Sequence, residues 1–351
     1  MPKPALHLSL QLLALTLAAS LAGCTPAAGQ LPAQPTELAA EAATAAGSTA
    51  RPPTSTPEPV STANAEQALQ LVDLGWIAFT GSEGGRRDVM LIRPDGTGEF
   101  NLTGELANTF AEAPVWSPDG SLIAFDGLPG SDVLRDVYLV TVSDQPRQWQ
   151  LTTLPGFDCY PSFSPDGRRI VYMSEREKNR DLFITDLEGH EILQLTEEPA
   201  HDYEPTWSPD GEQIVFVSRR DGNSEIYVMD ADGSNVLRLT DDPKLDWRPV
   251  WSPDGEWIVF ESWRTGGGDI YLMRPDGSGL RQLTTSLAED GNPTFSPDGR
   301  FIVFHSQRTG NYQLFIMALS DPEDQWHLPT SSVRALLPAW SPVTQIDAGG
   351  D

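Results

Sequence analysis

The sequence predicts an all-β fold, a six-bladed β-propeller with four-stranded blades, from three observations. First, Pro205-Thr206-Trp207-Ser208-Pro209-Asp210-Gly211 recurs as Pro114–Gly120, Pro161–Gly167, Pro249–Gly255 and Pro293–Gly299, and a sixth copy, Pro338-Ala339-Trp340-Ser341-Pro342, lacks the Asp-Gly. The serines fall at 117, 164, 208, 252, 296 and 341, in steps of 47, 44, 44, 44 and 45 residues, and a near-constant period of this size marks a repeat architecture. Second, each unit reads as four short strands between Gly/Pro turns, the content of a propeller blade. Third, the chain enters at a second strand (Trp76 to Phe79), and its last element is a first strand (Ala339 to Ser341). One blade is therefore expected to take three strands from the N-terminal side and one from the C-terminus, tying the ring shut and removing an open sheet edge.

In chain order, residues 1–23 read as a signal peptide: Lys3 supplies positive charge, Leu8 to Ala19 is apolar, and small residues follow. Such a run is too short to span a membrane. Leu21-Ala22-Gly23-Cys24 resembles the lipobox of bacterial lipoproteins. That resemblance implies a diacylglycerol thioether on Cys24, cleavage before it and acylation of the new amino group, a stable anchor when several chains are buried. Residues 24–68 are rich in Ala, Pro, Thr, Ser and Glu. They have too few large apolar side chains to offset their ordering entropy, so a disordered tether is expected. The propeller is expected over 69–345, with a disordered tail at 346–351.

Composition narrows the function. Twenty-three Lys and Arg against 50 Asp and Glu give a net charge of −27, which argues against a nucleic-acid partner, since phosphate binding needs a clustered basic surface. Most of this charge is expected to be solvated surface. Of the two cysteines, Cys24 is expected to carry lipid, which leaves Cys159 without a disulfide partner, so the fold must be held by its core.

Within a unit, Pro-x-Trp/Phe-Ser is the first strand, with its proline opening the strand, where the missing N–H is tolerated. Ser-Pro-Asp-Gly is a tight reversal: proline presets φ, aspartate suits the third turn position and glycine accepts the positive φ of the exit. The second strand is Ile-x-Phe/Tyr, as at Ile77–Phe79, Ile123–Phe125, Ile170–Tyr172, Ile214–Phe216, Ile258–Phe260 and Ile302–Phe304. The third opens on an acidic residue, as in Glu225-Ile226-Tyr227-Val228-Met229, and the fourth is Leu237-Arg238-Leu239-Thr240. Asp230-Ala231-Asp232-Gly233 reads as a hairpin turn between them, since it lacks the distal Glu of a calcium loop.

Trp-Ser-Pro-Asp-Gly, Ile-x-Phe, the stretch Ser218 to Asp230 and Leu-x-Leu-Thr, recurring in that order from about Leu74 to Pro342, resemble the WD40-like repeat of the TolB propeller. Gly-His and Trp-Asp do not recur in the pattern of ordinary WD40 repeats. The resemblance implies a six-bladed propeller outside the cytoplasm that binds a protein of the cell envelope, as TolB binds the peptidoglycan-associated lipoprotein. The lipobox, and a tether standing where TolB has an α/β N-terminal domain, depart from that family. The expected location is thus a lipid-anchored module on the periplasmic side or cell surface, and the expected oligomeric state is a monomer.

The loops joining fourth to first and second to third strands should share one face. Six residues before the repeat serine lie Asp158, Asp202, Asp246 and Asp290, with Ala111 and Ala335 in the end units. Beside them stand Glu112, Tyr160, Tyr203, Glu204, Trp247, Arg248, Asn292 and Arg334. The second-to-third loops carry Arg86, Arg135, Arg176, Arg219, Arg264 and Arg308. A feature repeated in every unit reads as fold grammar, here Asp–Arg bridges or caps. Function should lie in what differs, and Tyr203, Glu204, Trp247 and Arg248 have the aromatic-plus-arginine composition of interface hot spots. This mouth is the expected partner-binding face. No cofactor is expected, although carboxylates near the channel are of the kind that hold hydrated Ca²⁺.

An enzyme is not expected. His7, His190, His201, His305 and His327 lack zinc spacing, and no Gly-x-Ser-x-Gly occurs. Cys159 reads as a small, partly buried residue with no nearby base to make it a nucleophile. The alternative is a carbohydrate-binding or carbohydrate-active propeller, akin to uronate lyases, using His201, His305 and a channel metal. Two histidines and a carboxylate within metal-ligand reach would favour it.

Overall fold

The computed structural model describes residues 71–343 except 72, 84, 107–109, 129–133, 177–178 and 191. The chain divides into two compact units, Met1–Arg51 and Pro52–Asp351, and every described residue is in the second. The signal peptide with Cys24, the tether at 24–68 and the tail at 346–351 lie outside the described residues.

The regular elements of the described residues are β-strands, and none is a helix long and apolar enough to cross a membrane. The first are β1 (Ile77–Glu83), β2 (Arg86–Ile92) and β3 (Phe100–Asn101), followed by β4 (Phe110–Trp116), β5 (Leu122–Leu128), β6 (Asp136–Thr141) and β7 (Gln148–Gln150). A third group is β8 (Asp158–Phe163), β9 (Arg169–Arg176), β10 (Asn179–Asp186) and β11 (Ile192–Gln194). Next come β12 (Asp202–Trp207), β13 (Gln213–Ser218), β14 (Glu225–Asp230) and β15 (Leu237–Arg238), then β16 (Asp246–Trp251), β17 (Ile258–Ser262), β18 (Asp269–Met273) and β19 (Arg281–Gln282). The last are β20 (Asp290–Phe295), β21 (Phe301–Ser306), β22 (Gln313–Ala318), β23 (Asp321–Leu328) and β24 (Arg334–Trp340).

β8–β11, β12–β15, β16–β19 and β20–β23 each form a four-stranded antiparallel sheet. The other strands share one sheet, ordered β24-β1-β2-β4-β5-β6-β7 with β3 on β2. A single parallel pair, Arg87↔Phe110, joins β2 to β4, so this sheet too falls into antiparallel quartets, β24-β1-β2-β3 and β4–β7. In the first, Ile77 pairs with Trp340 and Ala78 with Ala339, and the Ser341 N–H donates to Trp76 O at 2.7 Å.

The Ser-Pro-Asp-Gly turn explains its own letters. At 208–211 the Gly211 N–H donates to Ser208 O at 3.0 Å, with Gly211 at φ +74°. The Ser208 hydroxyl donates to Asp210 at 2.5 Å and accepts the Gln213 N–H at 2.9 Å, while Asp210 also accepts the Glu212 N–H at 3.0 Å. The reversal is thus tied by both side-chain and backbone bonds, and the hydrogen bonds to Asp210 hold its carboxyl below its usual range.

Two expectations about strands need correction. The repeat prolines do not open their strands. They sit inside β4, β8, β12, β16, β20 and β24, within or beside a register shift against the neighbouring strand. At a bulge the ladder is already interrupted, so the missing N–H costs little. The fourth strand is also shorter than Leu237–Thr240. It covers Leu237–Arg238, and Thr240 bonds through its side chain instead, accepting the Ile226 N–H at 2.9 Å and donating to Glu225 at 2.6 Å.

The core lies between sheets. Ala78, Val89 and Leu91 of the first quartet pack on Trp116, Ile123 and Phe125 of the second, and Ala124, Val137 and Leu139 of the second pack on Phe163, Ile170 and Tyr172. Val215, Ile226 and Val228 pack on Trp251 and Phe260, and Val259, Ile270 and Leu272 on Phe295 and Phe304. Phe301, Val303 and Trp326 of β20–β23 pack on Ile77, Phe79 and Trp340. The β8–β11 and β12–β15 sheets meet where Arg169 covers the Trp207 ring at 5.1 Å and Trp207 N–H donates to the Ser162 hydroxyl at 3.3 Å. Each sheet has two apolar faces and buries both on neighbours, a propeller-like arrangement.

Candidate functional site: a proline-lined channel

Each of the six repeat prolines follows a residue in the left-handed region: Ala113, Tyr160, Glu204, Arg248, Asn292 and Leu337, at φ 51–56°. This conformation is costly for a side-chain-bearing residue, and the position before proline is restricted further. Hydrogen bonds from the preceding quartet hold four of them. Ala113 N–H donates to the Thr80 hydroxyl (3.1 Å), Tyr160 N–H to Asp126 (2.9 Å), Arg248 N–H to Glu204 (2.8 Å) and Asn292 N–H to Glu261 (3.3 Å).

The result is one channel. Residues 113–115, 160–162, 204–206, 248–250, 292–294 and 337–339 line a cavity of ≈ 180 Å³. Six prolines form its collar, and its charged lining residues are Glu204 and Arg248. Arg248 Nε is 2.9 Å from Glu204 Oε1, and its guanidinium stacks 4.9 Å above the Tyr160 ring. Burial raises the Glu204 and Tyr160 pKa values, and Glu204 opposite Arg248 raises that of the guanidinium.

Around the collar stand groups of which the sequence singled out only His305, as a candidate metal ligand. They occupy the place after the aromatic of the second strand: Thr80, Asp126, Glu261 and His305, with Met173 and Val217 in the remaining repeats. A charged residue inside an otherwise apolar strand was the available signal. Burial pushes Asp126 and Glu261 up to about 7, and pushes His305 down to about 3 with help from Arg248 and Arg334. His305 is thus neutral, and the Asn292 amide lies 3.4 Å from its Nδ1.

These raised carboxyl values set a pH dependence. A carboxyl with a higher pKa folded than unfolded holds protons in the native state that the unfolded chain has released, so stability falls as pH climbs from about 4 to above 7. The protein is expected to unfold at lower urea concentration at about pH 8 than at about pH 5. Glu261→Gln should shrink that difference by about 1–3 kcal/mol, measured as the change in unfolding free energy between the two pH values. An unaltered difference would show that Glu261 does not titrate in this window.

The residues expected on the binding face separate into two sets. Asp158, Asp202, Asp246 and Asp290 are each 0% exposed, so they lie beneath the surface and cannot touch a partner directly. They face the arginine of Ser-x-Arg in their own sheet: Asp202–Arg220 at 3.1 Å, Asp246–Arg264 at 2.9 Å, Asp290–Arg308 at 2.7 Å and, longer, Asp158–Arg176 at 3.9 Å. The partner of Asp202 is Arg220, not Arg219, which is exposed. Tyr160, Glu204, Arg248 and Asn292 line the channel. Tyr203 and Trp247 are nearly buried and stack on each other at 5.5 Å. Glu112 is buried between Arg87 and Arg135, with Arg135 at 2.5 Å.

The fourth-to-first and second-to-third loops do share a face, since Arg219 N–H donates to His201 O, Trp263 N–H to Leu245 O and Gln307 N–H to Glu289 O. His201 bonds Asn179 at 3.1 Å on this loop face. Among the described residues, no group of three His, Cys, Asp or Glu side chains could hold a metal ion. Cys159 is buried, and burial raises its thiol pKa well above the ordinary value, which keeps it protonated.

Residues 243–345 match the TolB beta propeller domain model, and residues 178–248 match that of the dipeptidyl peptidase IV N-terminal region. The chain is 35% identical over 56 residues to the Tol-Pal system protein TolB of Bordetella pertussis, covering 16% of this chain and 13% of that protein. It is also 35% identical over 74 residues to the TolB homolog of Chlorobium luteolum, covering 21% and 16%. The matches thus span only a small part of these relatives. TolB from Acinetobacter baumannii superposes with a TM-score of 0.66 at 24% identity, over 76% of this chain and 66% of that one. The putative TolB from Agrobacterium tumefaciens superposes at 0.58 and 25% identity, over 77% and 91%. An oligogalacturonate lyase in complex with manganese superposes at 0.53 and 18% identity, over 74% and 76%, a likeness of fold alone.

Proposed function

The propeller of this chain is TolB-like, and from that premise we propose that the protein is a non-enzymatic, lipid-anchored module that binds a protein or peptide partner at the cell envelope, outside the cytoplasm. We read its six quartets as six blades in a ring closed by β24 against β1. Burial of Trp326 and Phe301 against Ile77 and Trp340 supports that reading. The anchor rests on Leu21-Ala22-Gly23-Cys24, and the protein is taken to act as a monomer.

The observation that carries the binding function is the channel: six equivalent segments converge on one cavity, yet the side chains they present differ. Tyr160, Glu204, Arg248 and Asn292 make one arc polar and aromatic, while Ala113, Leu337 and Ala339 make the other apolar. Equivalent positions that keep the backbone and vary the side chain are suited to reading a partner. The test is a photo-crosslinking residue placed in the full-length protein, in its own host, at exposed Arg219 on the loop face or at exposed Glu212 on the opposite face. A discrete protein adduct is expected from position 219 and not from 212. Adducts from neither site, or the same adduct from both, would refute this face.

A further inference from the structure

Resting on that reading, we propose that the channel holds a carboxylate of the partner peptide, a C-terminus or an Asp or Glu side chain, on the two terminal amino groups of Arg248, with the proline collar covering the neighbouring apolar atoms.

The argument starts from which groups are already committed. Glu204 takes the Arg248 N–H on one oxygen and faces Arg248 Nε with the other. Glu261 accepts the Trp263 indole N–H at 2.9 Å on one oxygen and the Asn292 N–H on the other. Asp126 accepts the Tyr160 N–H and lies 3.9 Å from Arg135. Each acid beside the channel therefore already accepts at least one hydrogen bond, and Glu204 and Asp126 also face an arginine. Arg248 does not have acceptors to match. Its backbone N–H is bonded and its Nε is in ion-pair contact with Glu204, but among the described residues its two terminal amino groups make no hydrogen bond, and the side chain keeps 17% of its surface exposed. They belong to a residue that lines the cavity.

The Tyr160 ring beneath the guanidinium and Glu204 at its Nε leave the opposite edge as a fork, the geometry that matches a carboxylate with two parallel hydrogen bonds. A compact monoanion fits better than a phosphate dianion, because Glu204 already offsets the single positive charge. Burial keeps Asp126 and Glu261 partly protonated near neutral pH, which lessens their repulsion of an incoming anion. The proline rings, Val115 and Val250 are chemically suited to the apolar remainder of a short peptide segment.

The experiment titrates three probes into the full-length protein by calorimetry: acetyl-Ala-Leu-Ala with a free carboxylate, the same peptide as its amide, and acetyl-Ala-Glu-Ala-amide. Wild type is expected to bind one or both carboxylate peptides about tenfold more tightly than the amide, a difference of about 1.4 kcal/mol. Which of the two binds identifies the source of the carboxylate. Because Arg248→Gln alone would leave Glu204 buried without its cation, the matched variant is Arg248→Gln with Glu204→Gln, checked for folding by its unfolding transition. The preference should fall to about one in that double variant, and Arg248→Lys, which keeps charge but loses the fork, should retain only part of it. Equal binding of acid and amide by wild type, no binding of any probe up to about 10 mM, or an undiminished preference in the double variant would overturn the proposal. Those outcomes leave the crosslinking result at position 219 standing, so failure of the carboxylate site and failure of the binding face are told apart.

Discussion

Trp340→Ala is expected to destabilise the protein by about 3–5 kcal/mol, the range for emptying a large aromatic site in a core. Trp340 is 5% exposed, pairs with Ile77 across the β1–β24 ladder, and lies in the cluster that joins β20–β23 to β24-β1-β2. Its indole N–H also donates to Leu74 O at 2.6 Å. The substitution thus removes apolar contact and leaves a carbonyl without its donor, at the place where segments 266 residues apart in sequence are held together. Urea unfolding should show the loss. Trp149→Ala on the exposed β7 edge, where the side chain is 39% exposed, should cost under about 1 kcal/mol. Comparable costs for the two would mean that the β24–β1 contact contributes no more than an outer edge.

Arg264→Ala is expected to cost about 3–5 kcal/mol, because removing one partner of a buried pair strands the other. Asp246 is 0% exposed and accepts both oxygens' worth of contact from Arg264 Nη2, at 3.2 and 2.9 Å, while Arg264 Nε donates to the Ser262 hydroxyl at 2.8 Å. Arg264 also covers the Phe260 and Tyr271 rings at 5.7 and 4.6 Å. Burial has already pushed Asp246 up to about 6. The cost of the arginine substitution should therefore shrink below about pH 6, where Asp246 takes up a proton and no longer buries a charge. Adding Asp246→Asn to Arg264→Ala should restore about 1–2 kcal/mol at about pH 8. A cost that does not vary with pH and is not eased by Asp246→Asn would locate the effect in lost ring packing.

The strands, their turns and their grouping by four were legible because each rests on local rules. Ser-Pro-Asp-Gly closes on itself through bonds within five residues, so its letters carry the turn wherever they occur. The Ile-x-Phe core strand is likewise visible, since both faces of each sheet are buried and the run is apolar. The placement of Asp246 and Arg264 was half legible. Their recurrence marked them as structural Asp–Arg bridges, but their place at the expected binding mouth implied exposure, and only burial showed them to be closed inside each sheet.

The channel was harder to read. A left-handed residue before proline is unfavourable for an isolated segment, so no local preference announces Arg248 or Tyr160 in that state. It persists because Glu204 and Asp126, from the adjacent sheet, bond the amide groups it exposes. Such a contact exists only after the sheets pack side by side.

By itself, then, the sequence determined a repeated, all-β chain of four-strand units, because short apolar runs and turn chemistry act over a few residues. The tertiary structure alone decided which side chains share the central cavity and which carboxylates are buried. Those outcomes depend on distances between residues about 44 positions apart, and no local preference specifies them.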